Sequence, residues 1–389
     1  MKLKWSSFLL LFVVFFITNT LFAQSYNNPE SAVYDSYNNC YYVSNKGDGK
    51  IIKVDASNTN SKSIFNSDLT SVRGLAVSGN VLIAAANEGV VFIDTNSGII
   101  IQTVPIPGMG FLNDIVVTNK GTYGTIYVSD SGTGAIYGIE WVTYIVSTLT
   151  TGLSNPNGLF WDYDNDRLIN VPMIPNAPIL AVSLSGGSVT QLKTTTLNNP
   201  DGIARDMLGN YYISYWGDHS IYRFNNDFSS DPELISNQHA GPADIFFRTI
   251  AATGKLKTVQ DIKDNTGILI VPNFNDNTVD FNELTNLNVA ETKASVPKDF
   301  QLYQNFPNPF NPNTTIFYDV SRESNVKLTI FDILGREIIQ LVDQIEPAGS
   351  RSINWNGRDY TGNLVNAGIY IYQIESNGYL QTKKMVLLK

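Results

Sequence analysis

Glu30, Arg73, Asn113, Asn157, Asp201 and Ala243 follow one another at intervals of 43, 40, 44, 44 and 42 residues. Each holds the third place in a copy of one short segment: NPESAVYD (28–35), SVRGLAVS (71–78), FLNDIVVT (111–118), NPNGLFWD (155–162), NPDGIARD (199–206) and GPADIFFR (241–248). Glu30, Asn113, Asn157 and Asp201 carry oxygen donors. Two carboxylates and two amide carbonyls are hard ligands that suit Ca²⁺, with waters completing about six to eight ligands, and suit Mg²⁺ or Mn²⁺ less well. Two negative charges also balance a divalent ion. Thiolate and imidazole are missing from the set, which argues against structural zinc. Taken one at a time, the same residues read as caps of strand starts, because Asn and Asp are common beside Pro and Gly in turns.

Residues so far apart meet only if the chain winds one repeated unit around an axis. The copies continue alike, with an apolar-aromatic strand after the first turn: CYYVSN, VLIAAAN, TIYVSD, RLINVP, NYYISYW and GILIVPN. A polar turn and a third strand follow: KIIKVD, GVVFID, AIYGIE, SIYRFN and TVDFNEL. Short runs rich in Ile, Val and Tyr between such turns are strands. A period of about 40–45 residues with three or four strands per unit marks a β-propeller, and six units predict six blades. The first strand of each blade lines the central channel, so residues at equivalent places form a ring. The sixth unit allows two registers: GPADIFFR, or VQDIKDN (259–265), which lies at a better distance from GILIVPN and makes 243–259 an insertion. Asp35, Asp162 and Asp206, five places after the ring position, read as hairpin-turn residues. The stretch from Asp162 is not a helix-loop-helix calcium loop, since Arg167 and Met173 stand where that loop needs Gly and Glu.

Composition narrows the functions. The formal charge is −9, from 35 acids against 26 Lys and Arg, and no basic cluster offers a nucleic acid its phosphate contacts. Cys40 is the single cysteine, which rules out an internal disulfide and reads as a buried, inert thiol. The two histidines, His219 and His239, fall in turns and read as solvated loop residues within reach of a channel mouth. There is no nucleophile elbow, phosphate-binding glycine loop or H-E-x-x-H. Lys2 and Lys4, the apolar run 8–17 and Ala23 before a polar stretch form a secretory signal peptide over 1–23. Its apolar core is too short to span a bilayer, and no cysteine follows the cut to carry a lipid, so the mature protein is expected to be exported, soluble and without a transmembrane segment.

The propeller is assigned to 24–286 and a polar linker, within NLNVAETKASVPKD, to 287–299. Residues 300–389 open on FQLYQNFPNPFNPNTTIFYDV and read as a small immunoglobulin-like β-sandwich of about seven strands. Val326, Leu328 and Ile330 alternate inward, and the PNPFNP run forms an extended lead-in because proline cannot join a central strand. The fold class is therefore all-β: a six-bladed propeller followed by a sandwich.

Two resemblances add to this. PESAVYD, LNDI, NPNGLFWD and NPDGIARDMLGNYYIS make residues 28–285 similar to the regucalcin/gluconolactonase/luciferin-regenerating-enzyme family of six-bladed propellers. That resemblance implies a divalent cation, calcium first, held by Glu30, Asn113, Asn157 and Asp201. It also implies metal-dependent hydrolysis of a lactone, ester or phosphoester, with Asp201 as base toward water or as nucleophile. Sugar lactonases commonly carry an Arg just before the third-blade Asn, whereas this chain has Phe111 and Leu112. Arg73 either replaces it in reading substrate or pairs with Glu30 and weakens the metal site. The alternative is a non-catalytic NHL-repeat-like propeller that binds a surface glycan or protein. YQNFPNPFNP, LTIFDILGRE, AGIYIYQI and the terminal KKMVLLK resemble the C-terminal sorting domain of type IX (Por) secretion. This second resemblance implies recognition by that machinery and delivery to the medium or the cell surface.

Overall fold

Tyr41, Tyr42 and Val43 are consecutive and all fully buried, which a strand permits only when both its faces are covered. The computed structural model describes residues 25–118, 124–206, 208–250, 266–284 and 300–388 apart from 304, 306, 307, 309, 311 and 313. Five four-stranded antiparallel sheets run in chain order. They start at Pro29–Asp35, Val72–Ser78, Leu112–Thr118, Pro156–Asp162 and Pro200–Arg205. A sixth sheet holds Phe246–Ile250, Thr266–Asn273 and Thr278–Leu284. Leading strands pack side by side in sequence, and Phe246–Ile250 touches both Pro200–Arg205 and Pro29–Asp35, closing the circle. The chain is a six-bladed propeller.

Its cores lie in the gaps between blades. Tyr41 and Val43 point to the sixth blade, where they meet Ile270, while Tyr42 between them points to Leu82 and Ala84 of the second. A separate apolar cluster fills each of the other gaps. Both faces of a middle strand are thus interior, which is why these strands read as unbroken apolar runs. Cys40 is part of this packing, buried and unbonded to any other cysteine, and burial raises its thiol pKa. The outer strands, such as Asn58–Asn66 and Val189–Lys193, are largely exposed and polar. With Ile179–Ser183, they are the elements the sequence pattern did not single out.

The sixth blade takes the earlier register. Ser31 and Asp244 form a parallel bridge, and the Ala243 N–H donates to the Pro272 carbonyl at 2.9 Å, so Ala243 holds the ring place. The competing VQDIKDN segment lies outside the described residues, as do the signal-peptide segment and the 287–299 linker. Turn aspartates behave as expected: Asp35 accepts from the Tyr37 and Asn38 N–H groups, Asp206 from those of Leu208 and Asn210. Asp162 instead bonds Asn165 and Arg167 side chains. His219 is exposed as expected, but His239 is 8% exposed, and its expected solvation is corrected: neighbouring side chains bond both ring nitrogens.

Beyond residue 300, seven strands make two sheets, one of three strands and one of four. Val326, Leu328 and Ile330 are fully buried there with Trp355, Tyr372 and Met385. Phe310 of the proline-rich lead-in exchanges backbone bonds with Val386 and Leu388 at the edge strand, the one place where a proline-flanked segment can pair. Among the described residues no helix is long and apolar enough to cross a membrane.

Candidate metal centre

Each of the first five leading strands loses register with its partner at the ring position. The breaks fall between Pro29 and Ala32, Val72 and Leu75, Pro156 and Gly158, and Pro200 and Ile203, and opposite Val128–Asp130 for Leu112–Ile115. A bulge of this kind re-aims side chains that would otherwise alternate. The disturbed backbone is satisfied from the second strand. Ser44, Ser129 and Ser214 hydroxyls accept from the Ser31, Asp114 and Gly202 N–H groups at 2.8–3.0 Å. Asn170 donates to the Gly158 carbonyl at 3.1 Å.

The residue after the ring position sets how closely the strands approach. It is Gly in blades two, four and five, where a Cβ at Gly74 or Gly202 would stand 2.6 or 2.5 Å from the Cα of Asp114 or Asp244. Blades one, three and six carry Ser31, Asp114 and Asp244, which stitch neighbouring strands together. The Ser31 hydroxyl donates to Asp244 at 2.5 Å and accepts from the Leu75 N–H at 3.2 Å. Asp114 accepts from the N–H groups of Ile115 and Leu159, both at 2.6 Å. The Asp244 N–H reaches the Glu30 carbonyl at 2.9 Å.

Glu30, Asn113, Asn157 and Asp201 are all buried, the least so 7% exposed. The Asn157 side chain favours the charged form of Asp201, and the Asn113 amide donates to Ser131 at 3.2 Å. Oδ1 of Asn157 and Oδ1 of Asp201 are buried with no hydrogen-bond partner. An uncompensated buried oxygen is costly, and a cation is a species that would satisfy both. Among the described residues no three His, Cys, Asp or Glu side chains converge closely enough to hold a metal. A cation here therefore needs the asparagine oxygens as well as the carboxylates.

The electrostatics favour the same species. Burial drives the Asp201 carboxyl well above its ordinary range, with Glu30 and Asp114 adding to the rise and Lys46 opposing it. Burial likewise raises Glu30, against the pull of Lys46 and Arg73. Asp114 is pushed up to about 7 by burial, opposed by its two N–H donors, with Glu30 adding. Burial thus disfavours the charged form of these acids, and a divalent ion beside them would favour it.

Arg73 is buried, yet its hydrogen bonds go to neutral oxygens rather than to Glu30. Nε donates to the Leu112 carbonyl, and Nη1 to Ser71 and Asn87 at 3.1 and 3.0 Å. Its guanidinium lies 4.3 Å from the Phe111 ring centroid, against the two residues that stand in place of the lactonase arginine. The Lys46 ammonium sits 5.2 Å from Phe111 and 5.0 Å from Phe274. Lys46, Asp114 and Asp244 were not singled out from sequence. The signal for the acids was the break in the glycine pattern after the ring position; for Lys46 there was none, because it stands in a turn outside the repeat.

Such a molecule, six blades with buried oxygen donors at the starts of its leading strands, is of the sugar-lactonase and regucalcin kind. The chain belongs to the SMP-30/gluconolactonase/LRE-like family, whose profile matches residues 28–237. Residues 304–388 match a secretion system C-terminal sorting domain. Regucalcin from Agrobacterium tumefaciens, described as a calcium-binding protein, is similar over 64% of this chain and 83% of its own, at 16% identity and a TM-score of 0.50. A gluconolactonase from Xanthomonas campestris is similar over 64% and 84%, at 13% identity and a TM-score of 0.51. At these identities the likeness is one of fold. No curated protein sequence matches the chain. The sorting domain makes this an exported protein, secreted or held at the cell surface through type IX secretion.

Proposed function

We propose that Glu30, Asn113, Asn157 and Asp201 hold a divalent cation, calcium first, and that the propeller hydrolyses a small lactone, ester or phosphoester outside the cell. The observation that carries this reading is the pair of partnerless buried oxygens on Asn157 and Asp201. A bound cation supplies polarisation of a carbonyl or phosphoryl oxygen. Asp201 carries a buried oxygen without a hydrogen-bond partner, and it accepts a proton from water or attacks directly. Asn157 favours its charged form. Arg73, fixed against Phe111, reads an anionic or hydroxyl-bearing part of the substrate.

The full chain, loaded with calcium and assayed against lactones and aryl esters, tests the proposal: turnover should appear and Asp201→Asn should abolish it. Turnover that survives the substitution removes Asp201 from the chemistry. Tight calcium binding without turnover on any substrate favours the alternative, a non-catalytic propeller that binds a surface glycan or protein.

A further inference from the structure

The fifth and sixth blades meet at a second polar cluster, away from the axis. Ser236 lies on the outer strand Glu233–Asn237, and its Oγ is 2.8 Å from Nε2 of His239. Nδ1 of the same imidazole faces Asn273 Oδ1 at 3.2 Å and Asp280 Oδ2 at 3.6 Å. The Asn273 amide is oriented by its nitrogen, which donates to Asp280 at 2.8 Å and Thr278 at 3.2 Å. Its oxygen, not its nitrogen, therefore faces the imidazole.

Two acceptors at Nδ1 place the proton there and leave the lone pair on Nε2. The Ser236 hydroxyl can then only donate, with its proton aimed at that lone pair. A hydroxyl that merely anchored a loop could accept as readily as donate. The His239 backbone is held as well: its N–H donates to the His219 carbonyl, and its carbonyl meets His219 Nδ1, both at 3.0 Å. The base is thus buried and fixed, whereas Ser236 is half-buried and the Asp280 side chain 44% exposed. Solvent reaches the cluster from that side.

We infer that Ser236 is a base-activated nucleophile, with His239 as its base and Asn273 and Asp280 as orienting groups, able to take an acyl or phosphonyl group from small activated esters. Hydroxyl, base and orienting group stand within the reach such chemistry requires. In the step, Ser236 Oγ bonds to the electrophilic carbon or phosphorus, and the leaving group departs with its electron pair. The hydroxyl proton passes to His239 Nε2, with Asp280 facing the resulting imidazolium, and is then given up to the leaving group.

The test is treatment of the full chain with a fluorophosphonate in EDTA, which silences the axial ring, followed by peptide mass mapping. The expected result is one adduct, on Ser236, formed with loss of fluoride and absent in Ser236→Ala. His239→Gln should slow its formation at least tenfold. Asp280→Asn, at an exposed side chain that does not threaten folding, should slow it several-fold. Absence of an adduct at Ser236 in the folded chain, or equal rates in wild type and Asp280→Asn, would overturn the inference.

Discussion

Replacing Gly158 with alanine asks whether the spacing of two blades holds the axial site together. A Cβ at that position would stand 2.3 Å from the Asp201 carbonyl oxygen and 2.7 Å from Cγ2 of Val171. Carbon and oxygen in close contact need about 3.3 Å, so the leading strands of blades four and five must part by about 1 Å. The nearest obstacle is backbone, and no side-chain rotation relieves it. Overpacking of this order costs about 1–3 kcal/mol, or about 2–10 °C in melting temperature for a propeller of this size. The same displacement separates Asn157 from Asp201. Calcium–oxygen distances of about 2.3–2.6 Å leave little room for that, and calcium affinity should fall at least tenfold, about 1.4 kcal/mol. Thermal unfolding and calorimetric calcium titration of the full chain read the two effects separately. A lower melting temperature with unchanged affinity would refute the claim that the Asn157–Asp201 spacing binds the ion. No change in either would refute the contact itself.

Two other outcomes follow from the stitching residues. Ser31→Ala strips the Asp244 carboxyl and the Leu75 N–H of a shared partner and should cost about 1–3 kcal/mol in chemical denaturation; a loss under 0.5 kcal/mol would contradict that role. In EDTA, stability should fall as pH rises. The Asp114 carboxyl titrates at about 7 in the folded chain against 3.8 when unperturbed. Between those values the folded state binds the extra proton, so its contribution is full below the lower value and is lost as pH passes the higher, on the order of 4 kcal/mol in all. Melting temperatures from pH 5 to 8 check this, and a rise with pH in EDTA would contradict it.

The sequence carried the fold where burial is two-sided. Runs such as CYYVSN are apolar at every position because each face meets a different blade, and their spacing gave the period. The outer strands were obscure for the opposite reason: Asn58–Asn66 faces solvent and carries no apolar rhythm. The ring positions were readable as equivalent places in a repeat, and the structure buries the four side chains near the starts of their strands. What shapes the backbone around them was hidden. The bulge satisfied by Ser44, Ser129 and Ser214 depends on cross-strand bonds, and the second tier of Ser31, Asp114 and Asp244 depends on which blades present glycine to their neighbours. His239 read as a solvated loop residue and Ser236 was not singled out, because Asn273 and Asp280, which face the imidazole, come from the next blade.

Calcium titration of the full chain beside Asp201→Asn and Glu30→Gln, run in two buffers of different ionisation enthalpy, bears most directly on the axial cation. The account predicts one ion per wild-type chain, proton release on binding, and affinity reduced at least tenfold in each variant. Equal affinity in the variants, or no binding of calcium, magnesium or manganese by the folded wild type at millimolar concentration, would contradict it.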